Sequence, residues 1–123
     1  TVEAARAMRA AVTDGGALVM NVIASLDGPA ADLFRSIHAG LARHFAEVRV
    51  YAVTDPTDTG LIQNLMLVAL PASRPEEPQP ADTPDPELAR LLAARVAEPV
   101  SSVPPLRDEY APVERLSLAL VPR

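Results

Sequence analysis

The sequence predicts an α/β fold: one sheet of three strands in the order first, third, second, with the third antiparallel and helices flanking it. Three observations carry this reading. Residues 17–23 are apolar apart from Asn21 and follow the helix stop Asp14-Gly15-Gly16; near-continuous apolar runs mark strands buried on both faces of a helix-covered sheet. A helical stripe separates that run from a second strand. The second and third strands are joined by Asp55-Pro56-Thr57-Asp58-Thr59-Gly60, a link too short for a parallel crossover, so they pair antiparallel.

Each element has its own signal. Residues 1–12 form a helix, with Thr1 as N-cap, Glu3 in the first turn, and Val2, Ala5, Met8 and Val12 on one face. Gly15 is its expected C-cap. After the first strand, Asp27-Gly28-Pro29 is a turn that opens a second helix over residues 30–45. Its apolar stripe is Leu33, Phe34, Ile37, Leu41 and Phe45, with Asp32, Arg35 and Arg43 on the polar side. The second strand, residues 47–54, alternates as an edge strand does: Val48, Val50 and Ala52 face one way, Arg49, Tyr51 and Val53 the other. The third strand, residues 61–70, is apolar except for Gln63 and Asn64, which mark its start.

Composition then changes. Residues 71–86 hold six prolines and four acidic residues, which predicts an exposed, mobile connector that tolerates deletion. Asp85-Pro86-Glu87 restarts order as N-cap, first helical position and acidic first turn. The helix it opens runs to about residue 97, with Leu88, Leu91, Leu92 and Val96 on one face. Pro99 ends it, and Pro104-Pro105 precede a tail. The expected organisation is therefore a domain portion over 1–70, a connector over 71–86, and a C-terminal helix and docking tail of the same domain over 87–123. A sheet buried on both faces needs neighbours beyond these strands. The chain is thus expected to be the C-terminal part of a larger α/β protein.

Composition narrows the function classes. The 123 residues are 49% hydrophobic, which suffices for a core, and only 3% aromatic. Without Cys there is no disulfide framework, thiolate metal site or cysteine nucleophile, which fits a cytoplasmic compartment. The net charge of −5 argues against nucleic acid, whose binding needs clustered positive charge. All eleven basic residues are Arg, a mark of a GC-rich genome. No apolar run is long enough to span a bilayer, and no signal-peptide pattern opens the chain.

Helix, Gly-Gly, buried strand, helix, strand, short turn and buried antiparallel strand together resemble the second half of the class I S-adenosylmethionine-dependent methyltransferase fold. In that Rossmann-like fold the last strand slots antiparallel between the two before it. Leu106-Arg107-Asp108-Glu109-Tyr110-Ala111-Pro112-Val113-Glu114 is similar to the closing motif of bacterial spermidine-synthase-like proteins. Arg107 stands where that family has Thr, and Glu109 where it has a second Asp. Residues 14–23 resemble the family's Gly-Gly strand segment, and Gln63-Asn64-Leu65-Met66-Leu67-Val68-Ala69 its final strand. Thr1-Val2-Glu3 fits its Thr-x-Glu after the active-site loop. The resemblance spans nearly the whole chain apart from the Pro-rich insert.

That resemblance implies a transferase of polyamine biosynthesis, moving an aminopropyl group from decarboxylated S-adenosylmethionine to a small amine. The partner it implies is the N-terminal half of the same protein, and a homodimer is compatible with it. The Gly-rich cofactor loop, the acid that holds the ribose and the catalytic Asp would all lie in that half. No catalytic or cofactor-binding residue is therefore assigned here, and the chain alone is expected to be inactive. Two other readings fit the same layout: an S-adenosylmethionine methyltransferase, and a non-catalytic remnant acting as an interaction module.

The candidate substrate-binding residues are Asn21, Asp108 and Tyr110. An amide in a buried strand must find partners, and α/β sheets bind ligands beyond the C-terminal ends of their strands. A pocket role and a structural bond to the following loop are both open for Asn21. Asp108, Glu109 and Tyr110 line a pocket mouth or dock the tail, with docking favoured by Pro112 and Glu114 at a helix start. His38 and His44 are six residues apart, unlike the i,i+4 pair of a metal site, and read as surface histidines. Asp55 and Asp58 are explained by turn chemistry. No metal site is predicted.

Overall fold

A computed structural model describes residues 2–97. Thr1 and its N-cap role, Pro99, Pro104-Pro105 and the whole tail, including Asp108 and Tyr110, lie outside the described residues. The elements are α1 (Val2–Ala11), β1 (Leu18–Ala24), α2 (Asp32–Ala42), β2 (Glu47–Ala52), β3 (Gln63–Leu70) and α3 (Pro86–Ala93), with short 3-10 turns at Pro29–Ala31 and Pro80–Asp82.

The sheet has the predicted order β1-β3-β2. β3 is antiparallel to both neighbours, with Asn21 opposite Met66 and Tyr51 opposite the same residue from the other side. β1 and β2 are therefore parallel to each other and held apart by β3. One face of the sheet is the core. Val22 and Ala24 of β1, Leu65, Leu67 and Ala69 of β3, and Val50 and Ala52 of β2 meet Phe34, Leu41 and Phe45 from the α2 region and Ala5 of α1. These positions alternate along each strand because successive side chains point to opposite faces.

The opposite face departs from the sequence reading. β1 was expected to be buried on both faces, yet Val19 is 56% exposed and Ile23 66% exposed, and Asn21 between them is exposed too. β2 is the edge strand of this order, as expected, yet its outer face is covered: Arg49 and Tyr51 are only 5% and 6% exposed. The cause is the chain after β3. Its third helix stops at Ala93 rather than near residue 97, and the next residues turn into a short extended pairing with β2. Ala52 donates to the Ala94 carbonyl (2.9 Å) and Val96 donates to the Val50 carbonyl (2.8 Å), with Tyr51 and Arg95 as the bridged pair. These bonds satisfy edge groups of β2 that would otherwise face water.

The Pro-rich connector is exposed over most of its length but tied at defined points. Arg74 donates to the carbonyls of Gly15 (2.8 Å) and Gly16 (3.0 Å), and its own carbonyl accepts from Arg49 (3.1 Å). Glu77 accepts from Arg95 Nε at 2.6 Å. The α3 start is as read: the Asp85 side chain accepts from the Glu87 amide at 3.0 Å, with Pro86 at the first helical position.

Gly15 does not cap α1 in a left-handed conformation. Among the described residues the only positive φ belongs to Gly28, at 85°. The helix ends at Ala11, and the Arg9 guanidinium donates to the Val12 carbonyl (3.3 Å) and pairs with Asp14 (3.3 Å). Space at Gly16 is tight: a Cβ there would sit 3.1 Å from the Thr13 hydroxyl oxygen and 3.2 Å from a Val12 methyl, so these side chains would have to give by a few tenths of an ångström.

Candidate functional site

The C-terminal ends of β1 and β2 lie at the same end of the sheet, because the two strands are parallel, and α/β sheets gather ligands at that end. Two polar constructions occupy it. The first follows β1. Gly28, in the left-handed region that favours glycine, lets the chain turn into Pro29. Asp27 accepts from the Gly28 amide at 2.8 Å and from the Arg35 guanidinium. Arg35 also lies 3.6 Å from Asp32. The Gly28 amide, then Arg35, hold the Asp27 carboxyl below its ordinary value, so it is anionic at neutral pH. Ser25, 1% exposed, donates its hydroxyl to the Asp27 carbonyl at 2.7 Å. The Asp27 amide donates to the Thr59 carbonyl at 2.9 Å, joining this loop to the turn after β2.

The second construction is that turn. Gln63, 5% exposed, accepts from the amides of Thr54 (2.9 Å) and Asp55 (2.8 Å) and donates to the Asp55 carbonyl (2.8 Å). Asp55 accepts from the Thr57 hydroxyl (2.7 Å) and amide (2.9 Å), and these bonds hold its pKa down. Turn chemistry thus accounts for Asp55, as read. Gln63 is more than a strand-start residue: its one amide closes the whole turn.

A further ion-pair cluster covers the β2 side of the sheet. Glu47 accepts from Arg49 Nε at 2.9 Å, and Arg95 lies over the Tyr51 ring, 5.9 Å from its centroid. The Arg49 bond, against burial, lowers the Glu47 pKa. Burial, then the negative charge of Glu77, raises that of Tyr51.

Of the sequence-predicted site residues, the structure places Asn21 at the middle of β1 on the exposed face, opposite Met66. The premise that its amide is buried is corrected, because nothing among the described residues covers the β1 part of that face. Asp108 and Tyr110 fall outside the described residues. The two histidines are half-buried rather than surface residues. His38 meets the Phe34 ring edge-on at 6.1 Å, and burial lowers its pKa. Among the described residues no three His, Cys, Asp or Glu side chains converge as a metal site would need, and no helix is long and apolar enough to cross a membrane.

Sequence reasoning missed Asp27, Arg35 and Ser25 as a unit. The Asp27-Gly28-Pro29 turn was visible, but Arg35 sits eight positions later, and only the Pro29–Ala31 turn brings it back over Asp27. Compared with family models, curated proteins and solved structures, the chain matches none.

Proposed function

We propose that this chain is the C-terminal portion of a spermidine-synthase-like transferase built on a Rossmann-like, methyltransferase-type sheet. The observation that carries the reading is the strand order β1-β3-β2, with two parallel strands linked through α2 and a third inserted antiparallel between them. Among the described residues no strand pairs with the outer edge of β1, which supports it, since a parallel strand of the other half-sheet would pair there. In this reading the N-terminal half of the same protein supplies the cofactor loop and the general base. This chain supplies the far wall of the amine pocket. Asn21, Asp108 and Tyr110 are its proposed substrate contacts, and the anionic Asp27 at the C-terminal end of β1 favours a cationic amine nearby. The reaction would move the aminopropyl group of decarboxylated S-adenosylmethionine from its sulfonium onto the amine nitrogen, which loses a proton.

Calorimetry on the isolated chain should detect no binding of decarboxylated S-adenosylmethionine or S-adenosylmethionine at millimolar ligand. A micromolar Kd would overturn the division of labour between the halves. In the complete enzyme, transfer is assayed with both cofactors and a diamine; methyl transfer in place of aminopropyl transfer would refute the reaction class. Asn21→Ala should raise the KM for the amine, lowering kcat/KM by about one to two decades, as loss of a hydrogen bond to a charged group of about 1.5–3 kcal/mol requires. Cofactor affinity should hold. Unchanged amine kinetics would remove Asn21 from the site.

A further inference from the structure

The outer edge of β2 is bonded only to a short extended segment. Ala52 donates to the Ala94 carbonyl (2.9 Å) and Val96 donates to the Val50 carbonyl (2.8 Å), with Tyr51 opposite Arg95. Val50 and Ala52 thus turn backbone groups outward, and the alternation of a strand turns those of Val48 outward too. The bonds from Ala94 and Val96 stop at Val50. Side chains retain this cap. Glu77 accepts from Arg95 Nε at 2.6 Å, and Arg95 lies over the Tyr51 ring. Arg49 donates to the Arg74 carbonyl, which keeps the segment carrying Glu77 against β2.

The cap reads Ala94-Arg95-Val96, and β2 itself contains Val48-Arg49-Val50. Antiparallel pairing of β2 with β2 of a second copy, about a two-fold axis at Val50, sets Val48 of that copy where Ala94 now lies. Its Arg49 then takes the place of Arg95, and its Val50 that of Val96. The backbone bonds carry over: the Ala52 amide meets the Val48 carbonyl, and the Val50 carbonyl meets the Val50 amide of the second copy. The ring contact carries over as well, because Arg49 of each copy stands directly across from Tyr51 of the other. Other registers are poorer. An axis at Arg49 opposes two like charges. An axis at Val48 pairs little of the strand, which begins at Glu47.

We propose that Ala94-Arg95-Val96 stands in for β2 of a second copy of this chain. It closes the β2 edge while Glu77 holds Arg95; when it lifts, two copies pair β2 to β2 about Val50 into one continuous sheet. Covering an edge in this way is how a sheet avoids pairing with its own kind. The inference does not depend on the proposed transferase function, which concerns the β1 border.

The test uses the full chain. Arg95→Glu with Val96→Pro repels Glu77 and deletes the amide that donates to Val50. In sedimentation equilibrium this variant should dimerise roughly tenfold or more tightly than the unsubstituted chain. Equal self-association of the two chains would overturn the proposal. Within the variant, hydrogen exchange at the Val48 amide should slow roughly tenfold between dilute, monomeric samples and concentrated, dimeric ones, because that amide then donates to Ala52 of the second copy. A dimer whose Val48 amide does not slow joins through another surface and would equally sink the idea. Glu77→Gln leaves the backbone of the cap intact and should tighten self-association by about a few-fold, the scale of one partly exposed ion pair. Molar salt should erase its difference from the unsubstituted chain. Far-ultraviolet circular dichroism checks the fold of the double variant; if that variant is unfolded, Glu77→Gln decides, and no effect from it would refute retention of the cap by Glu77.

Discussion

Gln63 shows how one side chain can hold a turn that has no regular structure. Two backbone amides and one carbonyl of residues 54–55 depend on it. Gln63→Ala removes the partner of all three groups at a part-buried position. Urea unfolding should show a loss of about 2–3 kcal/mol, from unsatisfied groups costing about 1–3 kcal/mol each with partial rescue by solvent. Asn64, next along the strand and exposed, should tolerate Ala within about 0.5 kcal/mol. The two residues look alike in sequence, polar neighbours at a strand start, and only the two-residue period assigns one to the core side. His38 was equally illegible. It lies beside Phe34 and Ile37 in the α2 stripe, so its half-burial follows from rotation of the helix rather than from its type. Its pKa is pushed below its ordinary 6.5 by burial. Below pH 6.5 the unfolded chain therefore takes up a proton more readily than the folded one, and stability falls as pH drops towards the folded pKa. His38→Gln should flatten the stability profile between pH 5 and 7, measured by urea midpoints, while leaving a second fall below pH 4.5. That second fall comes from Asp27, Asp55 and Glu47, whose depressed pKa values make their contributions present at neutral pH and lost on acidification.

At the scale of elements, the strand order was legible because a turn over residues 55–60 forbids any crossover. The α3 cap was legible because Asp-Pro-Glu satisfies three local rules at once. Burial of the strands was not legible. Alternation in β2 marked an edge strand, but local periodicity carries no trace of the residues distant in sequence that cover Arg49 and Tyr51. The continuous apolar run of β1 was read as double burial, and its second face is bare among the described residues. The same chain segment explains the early end of α3: Arg95 and Val96 gain partners on β2 that a longer helix would forgo. Val96→Pro deletes the amide that donates to Val50 and should lower stability by about 1–3 kcal/mol in urea titrations. Hydrogen exchange should also speed up at the Ala52 amide, which pairs with Ala94. No change at Ala52 would mean that the pairing does not act as a unit.

For the whole molecule, the sheet is asymmetric at its borders. The β2 border is closed by Ala94–Val96, whereas among the described residues no strand pairs with the outer edge of β1. The candidate site at the C-terminal strand ends was only partly readable, since its members come from a loop, a helix and a turn that meet only in three dimensions. The central position of β3 has one more consequence, for the order of events during synthesis. Of the three strands, β1 and β2 leave the ribosome before β3, and neither bonds to the other in the finished sheet. Leu18 must wait for Ala69, whereas Ala52 needs only Leu65. Neither β1 nor β2 therefore finds its partner within this sheet until β3 emerges. The β2-β3 hairpin, with the shorter loop to close, then forms ahead of β1 docking. Arrested chains ending shortly before β3 should be the ones that chaperones hold longest.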